Sequence, residues 1–440
     1  MRVAISNSEL KPRRRTVIVG GGAGGLEVAV RLARRFDKTE DELVLVDGAA
    51  AHLWKPRLHE VAAGLLPAGE DEVSYLGLAQ ARGFHFHLGL LSRLDPEARV
   101  IGLGAVRNSD GGVLLGEREI NYDDLVLAFG SKVNDFGIEG VAEHCHMLDS
   151  VAQAEAFNRA FLNAALQIAE GERKTLSVCI VGAGATGVEL SAELWEAAHN
   201  LHLYGGLSIG DRLKLTLVDL APRVLPGTDE RISKYAATRL TKLGGRLKLG
   251  AAVSRGEAGA IHLKDGEVIA CDLRVWASGI VGQPVVDALG VLQLDRSKRI
   301  VTDQYGACAG VEHIYAIGDC AAMPDGRGAP ALPASAQVAH QQAGYLADNL
   351  LRRRAGKTLR PFVFRPRGTL VSLGGAQAVG EFPGLRSHQR RVSTHGRLPK
   401  LLYVSLQFMH RVSIYGWLRA TAIGVAERLR HIAVPPIKLH

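Results

Sequence analysis

The chain lacks a cysteine pattern. Five cysteines (Cys145, Cys179, Cys271, Cys308, Cys320) stand apart in 440 residues, with no CxxC or CxxxxC spacing. A disulfide framework or a structural zinc site is therefore not expected, no metal is expected, and a reducing compartment fits. No run of 18 uncharged apolar residues occurs, so no membrane-spanning helix is expected. The first 15 residues, MRVAISNSELKPRRR, lack an apolar stretch and do not read as a signal peptide. Acid is scarce at the other end. From Leu385 to His440 stand ten Lys and Arg against one acid, Glu427, while the whole chain carries a net charge of +8. The basicity belongs to the tail. No nucleic-acid-binding module accompanies it, so nucleic acid is not an expected partner.

What is abundant is glycine, 51 residues, much of it in short turns after apolar runs. At 440 residues two or three domains are expected, and this glycine placement suits parallel α/β folds with phosphate-binding turns. The first such turn follows the strand Thr16 to Val19 and carries Gly20, Gly22 and Gly25 in GxGxxG spacing. A helical pattern then runs to about Arg35, and a second strand, Leu43 to Val46, ends in Asp47. Gly20 permits the tight turn, Gly22 lets backbone approach a pyrophosphate, and Gly25 lets helix and strand pack closely. The terminal acid accepts from ribose hydroxyls.

A second copy begins with Leu176 to Val181 and continues through Gly182, Gly184 and Gly187 into a long helix. Its acceptor strand, Leu213 to Val218, ends in Asp219, and a carboxylate there repels the extra phosphate of NADPH and favours NADH. Arg223, four residues on, is the one side chain at odds with that preference. Two fingerprints imply two dinucleotides, FAD and NADH, and an electron relay: hydride passes from nicotinamide to flavin and then onward.

With both fingerprints in view, the chain resembles the two-dinucleotide-binding flavoproteins and, among them, the type II NADH:quinone dehydrogenases. The resemblance rests on HLWKP (52–56), HEVAAG (59–64), GATGVELSAEL (184–194), AQVAHQ (336–341) and the terminal IKLH, and it spans about Thr16 to His440. It departs from the family in the basic lead and in a long loop near Ser208, beyond Tyr204.

The resemblance implies several roles. Gly318 and Asp319, after a strand at Ile314 to Ile317, would hold the flavin's ribityl chain. Gly130 in AFGS and Gly279 in WASGI would mark the two crossovers between domains, and Lys55 would lie near the flavin or its pyrophosphate. Glu189, read as two residues into the second-fingerprint helix, would bind NADH or tune its approach. Gln337 and Gln341 fall four apart on a helix from Ala334 to about Arg354, so they share a face; the family places this segment, with His340 beside it, at the quinone. Cys320 reads as a buried structural thiol.

From Lys400 to Leu429 one or two helices are expected, broken near Gly416, with many apolar and aromatic residues and a polar edge of Lys400, Gln407 and Arg411. Such a basic, amphipathic segment fits the plane of an anionic inner leaflet. The expected fold is a doubly wound α/β protein: an FAD domain split between 1–150 and 291–380, an inserted NADH domain at 151–290, and a membrane-anchoring region at 381–440. The expected reaction moves hydride from nicotinamide C4 to flavin N5 and then reduces a membrane quinone to quinol, without proton pumping. The protein would lie peripherally on the cytoplasmic face of the cell membrane, and a homodimer is allowed. A sulfide:quinone or disulfide reductase would need a cysteine pair that is missing. A soluble reductase for a ferredoxin-like partner would not need the tail, and a redox-sensing regulator would not need AQVAHQ.

Overall fold

The computed structural model describes residues 13–201, 209–325, 329–384 and 391–433. The basic lead to residue 12, the loop with Tyr204 and Ser208, the terminal IKLH, and Arg386, Arg390 and Lys438 of the tail lie outside them. The chain divides into two compact units. Unit 1 comprises Met1–His52, Val73–Ser131 and Gly282–Phe364; unit 2 comprises Leu53–Glu72, Lys132–Val281 and Arg365–His440.

Unit 1 is built on five parallel strands in the order Ile314–Ala316, Asp124–Leu127, Arg14–Val19, Asp41–Asp47, His85–Leu88. The central strands are apolar on both faces: Val17, Ile18, Val44, Leu45, Leu125 and Val126 are all buried, as a parallel sheet covered on both sides requires. The helix Ala23–Ala33 leaves the first strand, and the helix Ala336–Arg354, capped by Ser335, packs against it. An antiparallel sheet of Leu91–Asp95, Val100–Leu103 and Arg118–Asn121 completes the unit.

Unit 2 repeats the plan. Five parallel strands run His146–Met147, Leu273–Trp276, Leu176–Val181, Leu213–Asp219, Arg246–Leu249. An antiparallel sheet of Val253–Glu257, Ala260–Leu263 and Val268–Ala270 accompanies them. The helix Val151–Ala169 buries Phe157 and Phe161, and with the helix Ala185–Asn200 it packs against the short helix Leu58–Ala63. Both units are thus Rossmann-type, with the fingerprint strand at the centre and the acid-bearing strand beside it.

Unit 2 also holds a three-stranded sheet (Thr369–Ser372, Ala378–Pro383, Arg391–Gly396) and two helices, Arg397–Tyr415 and Trp417–Ala433. Gly416 at φ +84° makes the break, a backbone region that glycine enters without a Cβ penalty. The polar edge of the first helix points inward. Lys400 donates to Ser372 Oγ (2.8 Å), Gln407 to Glu60 (3.1 Å), and Arg411 pairs with Asp71 and with Glu427. Leu398, Leu401, Val404, Met409, Trp417, Leu418 and Leu429 are left exposed. Among the described residues no helix is long and apolar enough to cross a membrane.

Candidate active site

The two glycine-rich turns have the same geometry. Gly20 (φ +103°) and Gly182 (φ +115°) turn the chain where a Cβ would collide with Ala128 and Ala277 respectively. A Cβ on Gly25 or Gly187 would lie within 2 Å of the carbonyl oxygen of Gly20 or Gly182, so helix and turn can touch only through glycine. Gly22 and Gly184 are different: a Cβ there would meet nothing within 4 Å. Both are N-caps of their helices, and neither helix start carries a side-chain cap, in contrast to the helices begun by Ser150, Asp229 and Ser335. Open space before two helix N-termini that no side chain caps fits a dinucleotide pyrophosphate at each.

The acids sit as the spacing predicts. Asp47 accepts from Gly21 N (2.6 Å) and Ala49 N (2.8 Å), and Asp219 accepts from Ala183 N and from Ala221 N (2.6 Å). Each oxygen retains acceptor capacity for a ribose hydroxyl. Burial raises the affinity of Asp47 for its proton, partly offset by those backbone donors. Tyr75, which the sequence did not single out, is buried and donates to Gly21 O (2.8 Å), occupying the space a side chain at Gly21 would need.

Within unit 1, Gly130 and Gly318 both adopt φ +72°, and Asp319 stands half-buried in the turn Gly318–Cys320. Gln337 and Gln341 are half-buried on the Ala336–Arg354 helix. The next residue, Gln342, is buried and also escaped the sequence reading. It accepts from Gly318 N (2.7 Å) and ties this helix to the Gly318–Asp319 turn. His340 reaches across to Glu27 of the first-fingerprint helix, Nδ1 to Oε2 at 2.5 Å. The Cys320 thiol is buried and pushed up to about 12 by desolvation.

Within unit 2, Lys55 pairs with Asp149 at 3.1 Å, and Gly279 adopts φ +70°. Glu189 is not two residues into its helix. The helix starts at Ala185, after the Gly184 cap, which puts Glu189 in its second turn and in the interior. There it accepts from Ser372 N (3.0 Å) and faces His59 Nδ1 at 3.6 Å. His59 Nε2 lies 3.3 Å from Glu193, one helical turn beyond Glu189, and Tyr403 OH lies 3.4 Å from the same ring. Donor atoms of His59, Glu60 and Glu193 all fall within 4.8 Å of one another. Desolvation pushes Glu189 up to about 7, against the pull of His59.

Fold and turns together define an oxidoreductase that holds two dinucleotides, and residues 14–343 match the pyridine nucleotide-disulphide oxidoreductase family. Over 97% of its length the chain is 34% identical to the type II NADH:quinone oxidoreductase of Haemophilus influenzae, all of which is covered. The Staphylococcus aureus enzyme of the same name is 29% identical over 84% of this chain and 89% of its own. The fold superposes on NDH2 of Plasmodium falciparum, solved in complex with NADH, with a TM-score of 0.82 at 17% identity, covering 97% of this chain and all of that one. The chain belongs to the type II NADH:quinone oxidoreductases within that wider family. It is an FAD-dependent NADH dehydrogenase with quinone as acceptor.

Proposed function

We propose the following division of labour for this reaction. In unit 1 the turn Gly20, Gly22, Gly25 with Asp47 holds the FAD pyrophosphate and ribose, and Gly318 and Asp319 hold its ribityl chain. In unit 2 the turn Gly182, Gly184, Gly187 with Asp219 holds NADH. Lys55, Gly130 and Gly279 support the cofactors at the edges of these sites; Glu189, buried in the second turn of its helix against His59 rather than at the helix start, governs protonation in place of the NADH contact expected of it. Gln337 and Gln341 hold the quinone carbonyls, with His340 beside them anchored to Glu27. Bound flavin supplies the two-electron chemistry, and overall NADH, one proton and quinone become NAD⁺ and quinol. The observation that carries this reading is the matched geometry of the two turns, each with open space before a helix N-terminus.

The Gln pair separates the half-reactions. Rapid mixing of Gln337→Ala or Gln341→Leu with NADH should bleach the flavin at nearly the wild-type rate. Quinone kcat/KM should fall about 5- to 150-fold, from roughly 1–3 kcal/mol for a lost buried hydrogen bond. Equal slowing of both half-reactions would reassign this helix to flavin support.

The last two helices dock on the inner, cytoplasmic leaflet of an anionic membrane, peripherally and without pumping protons. The reading is supported by the inward-facing polar edge and the outward Leu401, Met409, Trp417 and Leu418. Flotation with phosphatidylglycerol vesicles should fall at least tenfold in Leu401→Glu/Leu418→Glu, while NADH still bleaches the flavin. Undiminished flotation would remove these helices from the docking surface. Sedimentation in detergent distinguishes a monomer from a homodimer.

A further inference from the structure

The buried charges around Glu189 form one cluster, drawn from four elements of unit 2. The helix Ala185–Asn200 supplies Glu189 and Glu193, four apart on one face, both less than a tenth exposed. The helix Leu58–Ala63 supplies His59 and Glu60. The strand Thr369–Ser372 supplies the amide that binds Glu189 and the hydroxyl that accepts from Lys400. The helix Arg397–Tyr415 supplies Lys400 and Tyr403. Glu60 is already paired with Arg57 (2.6 Å), which also holds Asp71, and Glu155 of the helix Val151–Ala169 acts on Glu72.

Two carboxylates this close in a dry interior cannot both stay ionised without a cation between them. His59 is that cation: its two ring nitrogens face one carboxylate each, 3.6 Å from Glu189 and 3.3 Å from Glu193. The first fingerprint shows what a permanent cation does instead. Glu27 stands two residues after Gly25 as Glu189 stands two after Gly187, and four residues on it meets Arg31 (2.6 Å) where Glu189 meets Glu193. Arginine cannot release a proton at any working pH, and although His340 also faces Glu27, no second carboxylate among the described residues shares that site; His59 stands between two acids, and the three groups titrate as one cluster.

We infer that His59 is a positioning residue of the known reaction: held between Glu189 and Glu193, it makes the three side chains share protons so that Glu189 can take up and release one. The reaction consumes one proton for each quinone reduced, and this cluster is its buffer. The inference rests on the assignment of Glu189 above. Burial opposes a charge on His59, but Glu193 and Glu189 outweigh it and hold the imidazolium up to about 10. Desolvation raises both Glu189 and Glu193, and His59 lowers both.

Removing the imidazolium should therefore raise Glu189 further. Infrared difference titration of the FAD-loaded enzyme, with Glu189→Gln to assign the band, reads this carboxyl without turnover. His59→Gln should move its midpoint up by about one pH unit or more, and His59→Lys, which restores a cation, should bring it back towards wild type. Quinone kcat/KM against pH should show the same displacement, with flavin bleaching by NADH little changed. Should His59→Gln fail to fold, Tyr403→Phe and Glu193→Gln perturb the same ring more gently, and Glu193→Gln should lower the Glu189 midpoint. A midpoint indifferent to His59→Gln and Glu193→Gln, alongside a slow Glu189→Gln, overturns the inference and leaves the assignment of Glu189 standing. Wild-type turnover and pH dependence in Glu189→Gln would instead sink that assignment, and the catalytic meaning of His59 with it, even where the infrared shift is found.

Discussion

The two fingerprint helices share a backbone and differ in one charge. Each begins at an uncapped glycine, each has glycine against glycine at its first turn, and each buries a glutamate two residues past the third glycine. In unit 1 that glutamate is Glu27, paired within its own helix with Arg31 and approached from a second helix by His340. In unit 2 it is Glu189, with Glu193 in place of the arginine and His59 between the two. The difference teaches that the frame of these turns is set by glycine geometry and tolerates opposite electrostatics behind it.

The comparison breaks most severely at the second glycines. Valine at either position fills the space before a helix N-terminus, but with different losses. Purified Gly22→Val should be colourless apoprotein, whereas Gly184→Val should keep its flavin absorbance and no longer be bleached by NADH. A full flavin spectrum in Gly22→Val would reverse the assignment of the two turns.

The charge difference should appear next, as stability against pH. The imidazolium of His59 is favoured by folding, from an unperturbed value of about 6.5 to about 10. Its contribution is complete below about pH 6.5 and is lost as pH rises towards 10, at up to about 1.4 kcal/mol per pH unit within that window. Glu189, raised to about 7, acts with the same sign over the lower window from about 4.5. Urea unfolding of wild type should therefore show stability falling from pH 7 to 10, and His59→Gln should show a flatter line. Parallel lines would mean that the ring is neutral in the folded enzyme.

The smallest effect concerns the acids at the strand ends. Asp219→Ser keeps an acceptor for Ala183 N but removes the charge that repels a 2′-phosphate, so the kcat/KM ratio of NADH to NADPH should narrow about tenfold. A wild-type enzyme already indifferent to the two would overturn this reading of Asp219.

Much of the frame was readable along the chain because it is local. The strand Leu176–Val181 has the predicted ends, Gly416 breaks the terminal helices where expected, and the helix at Ala336 begins two residues later than read, where Ser335 caps it. The cluster behind Glu189 was not readable. His59, Glu189, Ser372 and Tyr403 are separated by up to 344 residues, and a histidine in HEVAAG carries no mark of the acids it will face. Gln342 was hidden for a similar reason: beside Gln341 it looks equivalent, and only the packing of one helix on another makes it the inward one.

The sequence by itself determined the two glycine-rich turns and the acids that end the strands beside them. Glycine at a positive φ or against a neighbouring carbonyl is a local steric demand that spacing records. The polar edge of Lys400, Gln407 and Arg411 was equally visible, but its direction was not. Tertiary structure turned it inward, because Glu60, Asp71 and Ser372 satisfy those groups in the interior, and it left Leu401, Trp417 and Leu418 outside. It likewise decided that Glu189 faces a second carboxylate through His59 while Glu27 faces Arg31 and His340, since a buried charge takes its meaning from the groups that folding brings against it.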